Sequence, residues 1–354
     1  MRVIIIGAGE VGYHIAKKLS DEKKDVVLID KDPAKIRRIS ENIDVQALLG
    51  SGTSPRVLRQ AGIQDAELLT AATDSDEVNL IACLLARSLN PSVVKIARVR
   101  NKEYLKEKSL FSQDLLGVDL IINTQNLMVS RILSLIEIPG ASEVIDFLDG
   151  EVKLVSFLIT NDSPLAGVKL TELRTHDPNL LVGAIVRGHK ILIPSGNDAI
   201  KPMDLVYLVV KKSDVNQMLT RLGMSTRPAK NIIIVGAGGT GMDIARALDN
   251  RTLNVRIIDQ DGEKCKNANE HLNNIIVIKG DATDRDLLRE ENAGKMDMLI
   301  AVTGDEENNV LISLLARELG TRRTITRVSK LSYMNIVSTI GLDTVINPRM
   351  SAVR

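Results

Sequence analysis

The sequence predicts an α/β chain: two doubly wound parallel sheets separated by a small α+β module. Three observations lead there. Short apolar runs alternate with segments of helical period over the first 125 or so residues. Those runs are apolar throughout, the pattern of strands covered by helices on both faces. The whole pattern then returns: MRVIIIGAGEVGYHIAKKLSDEKKDVVLID at the N-terminus is answered by NIIIVGAGGTGMDIARALDNRTLNVRIID from Asn231.

In the first copy, strands are expected at Val3–Ile6, Val26–Ile29, Val45–Leu49, Leu68–Ala71, Val94–Ala97 and Leu120–Ile122. Helices fit Val11–Ser20, Pro33–Asn42, Ser54–Ala61 and Asp76–Leu89. Asp76 is the expected cap of the last helix, and Asn90-Pro91 stops it. Strict β-α alternation gives a doubly wound sheet. The second copy keeps the order. LTAATDSDEVNLIACLLAR returns as LIAVTGDEENNVLISLLAR, KIARVRNKEYL as TITRVSKLSYM, and GVDLIIN as GLDTVIN. This is duplication of a domain, not a short-period solenoid.

Residues 141–225 change character. VKLVSFLIT, LLVGAIV, HKILIP and LVYLVV are strand-like, with turn signals at Asn161-Asp162, Arg187-Gly188 and Ser195-Gly196-Asn197. Short helices fit Lys169–Arg174 and Ser213–Leu222. The expected domains are therefore 1–140, 141–225 and 226–354, with Gly223–Lys230 as linker. Arg354 stands at the position equivalent to Ser130, where copy one runs on into its module, so a second small module is expected to follow.

Composition excludes several classes. A net charge of +1, from 46 basic and 45 acidic residues, gives no electrostatic footprint for nucleic acid or an anionic bilayer. Four Tyr, three Phe and no Trp make no base-stacking platform. Cys83 and Cys265 are far apart and not equivalent in the repeat, so neither a metal spacing nor a disulfide framework follows, and a reducing cytosol fits. MRVIIIGAGEVG does not read as a signal peptide, and no run approaches the ~18 apolar residues of a membrane span.

The chemistry lies in glycines and an acid. Gly7, Gly9 and Gly12 form G-x-G-x-x-G between a strand and a helix, the Rossmann-like arrangement for a dinucleotide. The first permits the tight turn, the second lets a pyrophosphate approach, and the third lets helix pack on strand. The helix N-terminus offers N–H groups and its positive dipole end. Asp30 ends the second strand, where a carboxylate accepts from ribose hydroxyls and repels a 2′-phosphate. Asp30 does not separate NAD from ATP or ADP. Copy two repeats the set with Gly236, Gly238, Gly241 and Asp259.

Further polar residues fall at strand C-terminal ends, the rim where open α/β sheets bind ligands. They are Ser51, Gly52 and Thr53, then Thr73 and Asp74, and Arg98. Their counterparts are Asp281, Ala282 and Thr283, then Thr303 and Gly304, and Arg327. Thr53 or Thr73 could contact adenine or the second ribose, and Arg98 a phosphate or a neighbouring subunit. The competing reading for each is a loop or helix cap, and Thr283 with Asp286 nearly makes a capping box. Glu10 would repel a phosphate, so a ribose or protein partner suits it better.

Catalytic groups are missing from the pattern. His14, His176, His189 and His271 pair with nothing at a telling spacing and read as solvated or capping residues. No Walker motif, nucleophile elbow or zinc spacing appears. An NAD-dependent oxidoreductase, the alternative reading, would need an acid–base pair near the nicotinamide. Nucleotide sites without such groups suggest a sensor.

GAGEVG with Asp30, then SPLAGVKLTEL and IPSGNDAIKPMDLVYLVV, resembles a pair of N-terminal and C-terminal RCK (KTN) domains. Two such units in one chain is the plan of the TrkA family, regulatory subunits of Trk potassium-uptake systems. The resemblance implies no enzyme, but a cytoplasmic, peripheral homo-oligomeric ring beneath a potassium-translocating subunit of TrkH/TrkG type. It implies neither nucleic-acid binding nor direct membrane insertion. NAD(H), or ATP, ADP or AMP, would occupy the glycine-loop crevices. By this resemblance Gly7, Ala8, Gly9, Glu10 and Val11 would hold the diphosphate, Asp30 the adenosine ribose, and Thr73, Asp74 and Arg98 the rest. Copy two would use Gly236, Ala237, Gly238, Gly239, Thr240, Asp259, Thr303 and Arg327 likewise. Gly304 replaces Asp74, which allows the two sites different preferences.

Overall fold

The computed structural model describes residues 1–176, 180–188, 190–223, 226–249, 252–330, 333, 337, 340, 342 and 344–347. Two compact units follow from the chain contacts, one built on Met1–Met128 and one on Val129–Ile346.

The first unit contains β1 (Arg2–Ile6), α1 (Glu10–Asp21), β2 (Asp25–Asp30), α2 (Pro33–Asn42), β3 (Gln46–Leu49) and α3 (Pro55–Gln60). It continues through β4 (Leu68–Ala71), α4 (Asp76–Leu89), β5 (Val94–Arg98), α5 (Lys102–Lys106) and β6 (Leu120–Ile122). The six strands are all parallel in the order β3-β2-β1-β4-β5-β6. Order reverses between β1 and β4, which opens a crevice at their C-terminal ends.

Both faces of this sheet are buried, so its central strands carry no polar alternation. Ile4, Ile6, Val27, Ile29 and Leu69 pack with Leu58, Ala82 and Cys83. Val3, Ile5, Val26 and Leu28 pack on the other face with Ala16 and Ile39. Each buried Val, Leu or Ile among them contributes about 1.5–3 kcal/mol by leaving water.

Helix starts follow side-chain caps. Asp32 accepts from the Ala34 N–H at 2.8 Å to start α2. Ser75, not Asp76, caps α4, accepting from the Val78 N–H at 3.2 Å. Asp76 is instead buried and takes the N–H groups of Arg100 (2.8 Å) and Asn101 (2.7 Å) from the loop after β5. Asn90 ends α4 as expected, and its amide donates to the carbonyls of Ile63 (2.9 Å) and Ala66 (3.1 Å).

Helix α6 (Thr124–Glu137) leads into the antiparallel module. That module has β7 (Glu143–Phe147), β8 (Val152–Leu158), α7 (Leu170–His176), β9 (Leu181–Arg187), β10 (Lys190–Leu192), β11 (Asp204–Lys211) and α8 (Val215–Arg221). The sheet order is β10-β9-β11-β8-β7. Strand β7 was not legible because Glu143 and Asp146 interrupt its apolar pattern. Glu143 is buried nonetheless, held by Arg131 at 3.2 Å and the Tyr207 hydroxyl at 3.1 Å. Asp204 is fully buried and accepts both arms of the Arg187 fork at 2.7 Å. Those bonds hold the Asp204 carboxyl below the usual carboxylate range.

The second copy comprises β12 (Asn231–Val235), α9 (Gly239–Leu248), β13 (Asn254–Asp259), α10 (Gly262–His271), β14 (Ile275–Lys279) and α11 (Arg285–Glu290). It continues with β15 (Met298–Ala301), α12 (Glu306–Leu319), β16 (Thr324–Arg327) and β17 (Thr344–Ile346). The parallel order β14-β13-β12-β15-β16-β17 repeats the first sheet. The observed fold is thus the predicted one, two doubly wound sheets with an α+β module between. Asp284 caps α11, accepting from the Asp286 N–H at 2.9 Å, so Thr283 is not the cap of that helix.

Candidate nucleotide-binding site

Strand β1 delivers the chain into Gly7, which adopts φ +102°, a left-handed value that penalises any side chain. A Cβ there would also stand 2.9 Å from the Thr73 backbone nitrogen. The turn places Gly9 at the start of α1 with no side-chain cap. A Cβ on Gly9 would meet nothing within 4 Å, so this position faces open space. One on Gly12 would lie 1.8 Å from the Gly7 carbonyl oxygen. Only glycine lets α1 sit this close to the turn.

Asp30 Oδ2 accepts the Ala8 N–H at 2.6 Å, and Oδ1 accepts the Asp32 N–H at 2.9 Å. The acid therefore fastens the glycine loop to the end of β2. A carboxylate has about four lone-pair sites, so both oxygens retain capacity for hydroxyl donors. The crevice here has a volume of about 430 Å³ and is lined by Gly7, Gly9, Asp30, Ser51, Thr73 and Asp74 among others. This is within the range of small-molecule sites. Lys31 and Lys35 also line it. Sequence reading missed both, although Lys35 recurs as Lys264.

The threonines bond to local partners. The Thr73 N–H and hydroxyl both reach Asn79 Oδ1, at 2.9 and 2.7 Å. Asn79 is fully buried, and its amide donates to the carbonyls of Thr73 (3.2 Å) and Arg98 (2.8 Å). It ties the ends of β4 and β5 together behind the crevice. Thr53 pairs with Ser51 at 2.8 Å, and Thr283 with Asp281 at 2.7 Å. Arg98 meets Asp74 at 3.3 Å. Burial and nearby Arg100 lower the Arg98 pKa. Glu10 lies 3.8 Å from His14 and 3.7 Å from Arg38. His14 is packed, its side chain only 11% exposed, rather than solvated.

The second crevice copies the first in its main bonds. Asp259 accepts from the N–H groups of Ala237 (2.7 Å) and Asp261 (2.9 Å). Gly236 has φ +106°, and a Cβ on Gly241 would come within 1.8 Å of its carbonyl oxygen. Asn309 holds Thr303 and the Arg327 carbonyl as Asn79 does. Gly239 replaces Glu10 at the start of the helix, Thr240 is buried in its first turn, and Gly238 faces open space.

The arrangement offers N–H groups for phosphate and carboxylates for ribose. Burial pushes the Cys83 thiol up to about 12, and burial followed by Asp259 raises that of Cys265. Neither suits a nucleophile. His271 Nδ1 lies 2.8 Å from the Asn267 carbonyl in its own helix. His176 ends α7, and His189 lies outside the described residues. Among the described residues, no group of three or more His, Cys, Asp or Glu could hold a metal. No helix among them is long and apolar enough to cross a membrane.

The TrkA-N domain family matches residues 3–124 and 232–348, and the TrkA-C domain family matches 154–223. The chain belongs to the TrkA family. The Trk system potassium uptake protein TrkA of Halomonas elongata is 35% identical over 355 residues, covering 100% of this chain and 78% of that protein. A TrkA homolog of Archaeoglobus fulgidus is 36% identical over 349 residues, covering 99% and 78%. Among solved structures, the GsuK RCK domain superposes with TM-score 0.72 at 21% identity, covering 99% of this chain and 74% of that one. The GsuK channel bound to NAD gives 0.73 at 21%, covering 99% and 62%. These likenesses extend the TrkA relation to the RCK fold.

Proposed function

We propose that the chain is a nucleotide-sensing, non-catalytic regulatory subunit of a Trk-type potassium-uptake system. The observation that supports this best is the doubled glycine loop fastened by its acid, at Ala8–Asp30 and again at Ala237–Asp259. It stands in a chain whose relatives are named for potassium uptake. A GsuK channel structure contains NAD and another GsuK structure ADP, which favours NAD(H) or an adenine nucleotide as ligand here.

In this reading, 1–140 and 226–354 are the nucleotide-binding domains and 141–225 the module joining them. The glycine loops hold the diphosphate, and Asp30 and Asp259 the adenosine riboses. Lys31 and Lys35 add positive charge on the rim of the first crevice. The threonines and arginines behind the crevices act mainly by keeping strand ends in place. The chain assembles as a ring against the cytoplasmic side of a TrkH/TrkG-type subunit, and bound nucleotide shifts the ring between states. Moving such an equilibrium from 1:99 to 99:1 takes ~10⁴-fold differential affinity, which several sites can share.

Potassium flux through the copurified translocating subunit in proteoliposomes tests this, with the chain and each nucleotide added in turn. Flux should depend on chain and nucleotide together. Flux indifferent to both would refute the assignment.

A further inference from the structure

The second unit holds another cleft, of about 540 Å³, away from the glycine loop. It lies at the N-terminal edge of the second parallel sheet, where Met298 begins β15 and Arg322-Arg323 precede β16. The glycine loop sits at the opposite ends of these strands. Other walls come from the end of α6, from Leu158 at the end of β8, from Met203 before β11, and from Arg227.

We propose that this cleft binds a small organic phosphate, with the phosphate held by Arg227 and Arg322 and an apolar body against Leu158, Met203 and Met298. Three guanidinium groups line the cleft against one carboxylate, Asp297. That carboxylate is already engaged. Its Oδ1 meets Arg322 at 3.2 Å, and its Oδ2 accepts the N–H groups of Lys230 and Asn231 at 3.0 Å each. Arg323 donates to the carbonyls of Leu135 and Ala141 and to the Thr344 hydroxyl, so it fixes the wall and adds field. The Arg322 side chain is 69% exposed and Arg227 is exposed, so an incoming anion can reach both from solvent. A guanidinium fork matches phosphate oxygens bidentately.

The apolar side is equally specific. Met203 is 73% exposed and Leu158 49%, large side chains that folding leaves in water on the cleft wall. Met203 adopts φ +68°, uncommon for a residue other than glycine, and its N–H is held by the Ile159 carbonyl at 2.7 Å. Such backbone strain concentrates at ligand sites. A ligand here touches the end of α6, the antiparallel module and the second parallel domain together. Its binding would bias how those three parts pack.

Methionine-methyl NMR of the full chain tests this directly. Met203 and Met298 report the cleft, and Met242 in α9 reports the glycine-loop region. The probes are AMP, dihexanoyl phosphatidic acid and inorganic phosphate. AMP or the lipid should shift Met203 and Met298 saturably, and the tighter of the two identifies a nucleotide or a headgroup source. An Arg227→Gln/Arg322→Gln variant, with an unchanged Met242 signal as its folding check, should bind about tenfold or more weakly. Three results would overturn the proposal. One is silence of both methyls at millimolar probe. Another is equal binding by the variant. The third is inorganic phosphate binding as well as either organic probe, which means an adventitious ion only.

Discussion

Replacing Asn79 by Ala probes the construction of the crevice more sharply than any rim substitution. The side chain makes four bonds: two accepted from Thr73, and one donated to each of the Thr73 and Arg98 carbonyls. Two of these groups keep other partners after truncation. The Thr73 hydroxyl still has Ser75, and the Thr73 carbonyl still has Arg98. The Thr73 N–H and the Arg98 carbonyl lose the side-chain partner that held them. At about 1–3 kcal/mol for each buried polar group left unpaired, and with partial rescue by water at the crevice, the loss is about 2–4 kcal/mol. Asn79→Asp should do no better, since a carboxylate would face two carbonyl oxygens. Asn309→Ala makes the internal control, because it breaks the same four bonds in copy two. Hydrogen exchange resolved by peptide is the assay. Asn79→Ala should accelerate exchange in β4 and β5 and leave β15 and β16 unchanged, with the reverse for Asn309→Ala. Losses under ~0.5 kcal/mol in both variants would refute the view that these asparagines hold the crevice together.

Other predictions address the ligand contacts and the module. Asp30→Ala should abolish the preference of the first site for ribose over 2′-deoxyribose nucleotides, a preference of about tenfold or more for one hydrogen bond to a charged acceptor; competition binding with deoxy analogues checks it. Gly12→Ala must move the Gly7 carbonyl from 1.8 Å, so it should cost about 1–3 kcal/mol or more in thermal stability and weaken nucleotide binding at that site alone. The antiparallel module should lose stability in acid. Asp204 has a depressed pKa when folded, so its contribution is fully present above the unfolded value of about 4 and disappears as pH falls through the folded value. Urea unfolding between pH 6 and pH 2 should show this slope, and Asp204→Asn should flatten it.

How much could be read from residues alone follows from what each residue responds to. The parallel strands were legible because burial on both faces removes polar alternation, and α4 and α2 because their ends carry Pro, Asn and cap residues. Strand β7 was not, since its Glu143 is paid for by partners from α6 and β11 that no local pattern announces. Ser75 and Asp76 are both good caps. The loop after β5 takes Asp76 and leaves the cap to Ser75, a tertiary choice. The glycines and Asp30 stood out because turn geometry restricts the residue type. Asn79 did not, because a polar residue in a helix's first turn is ordinary there. Its recurrence as Asn309 at the same place in the repeat was the available signal.

The most direct test is calorimetric titration of the chain with NADH, NAD, ATP and ADP, with Asp30→Ala and Asp259→Ala alongside. The account predicts two nucleotide sites per chain, each variant weakening one by about tenfold or more and leaving the other unchanged. Undiminished binding in both variants, or no binding of any of the four nucleotides, would contradict it.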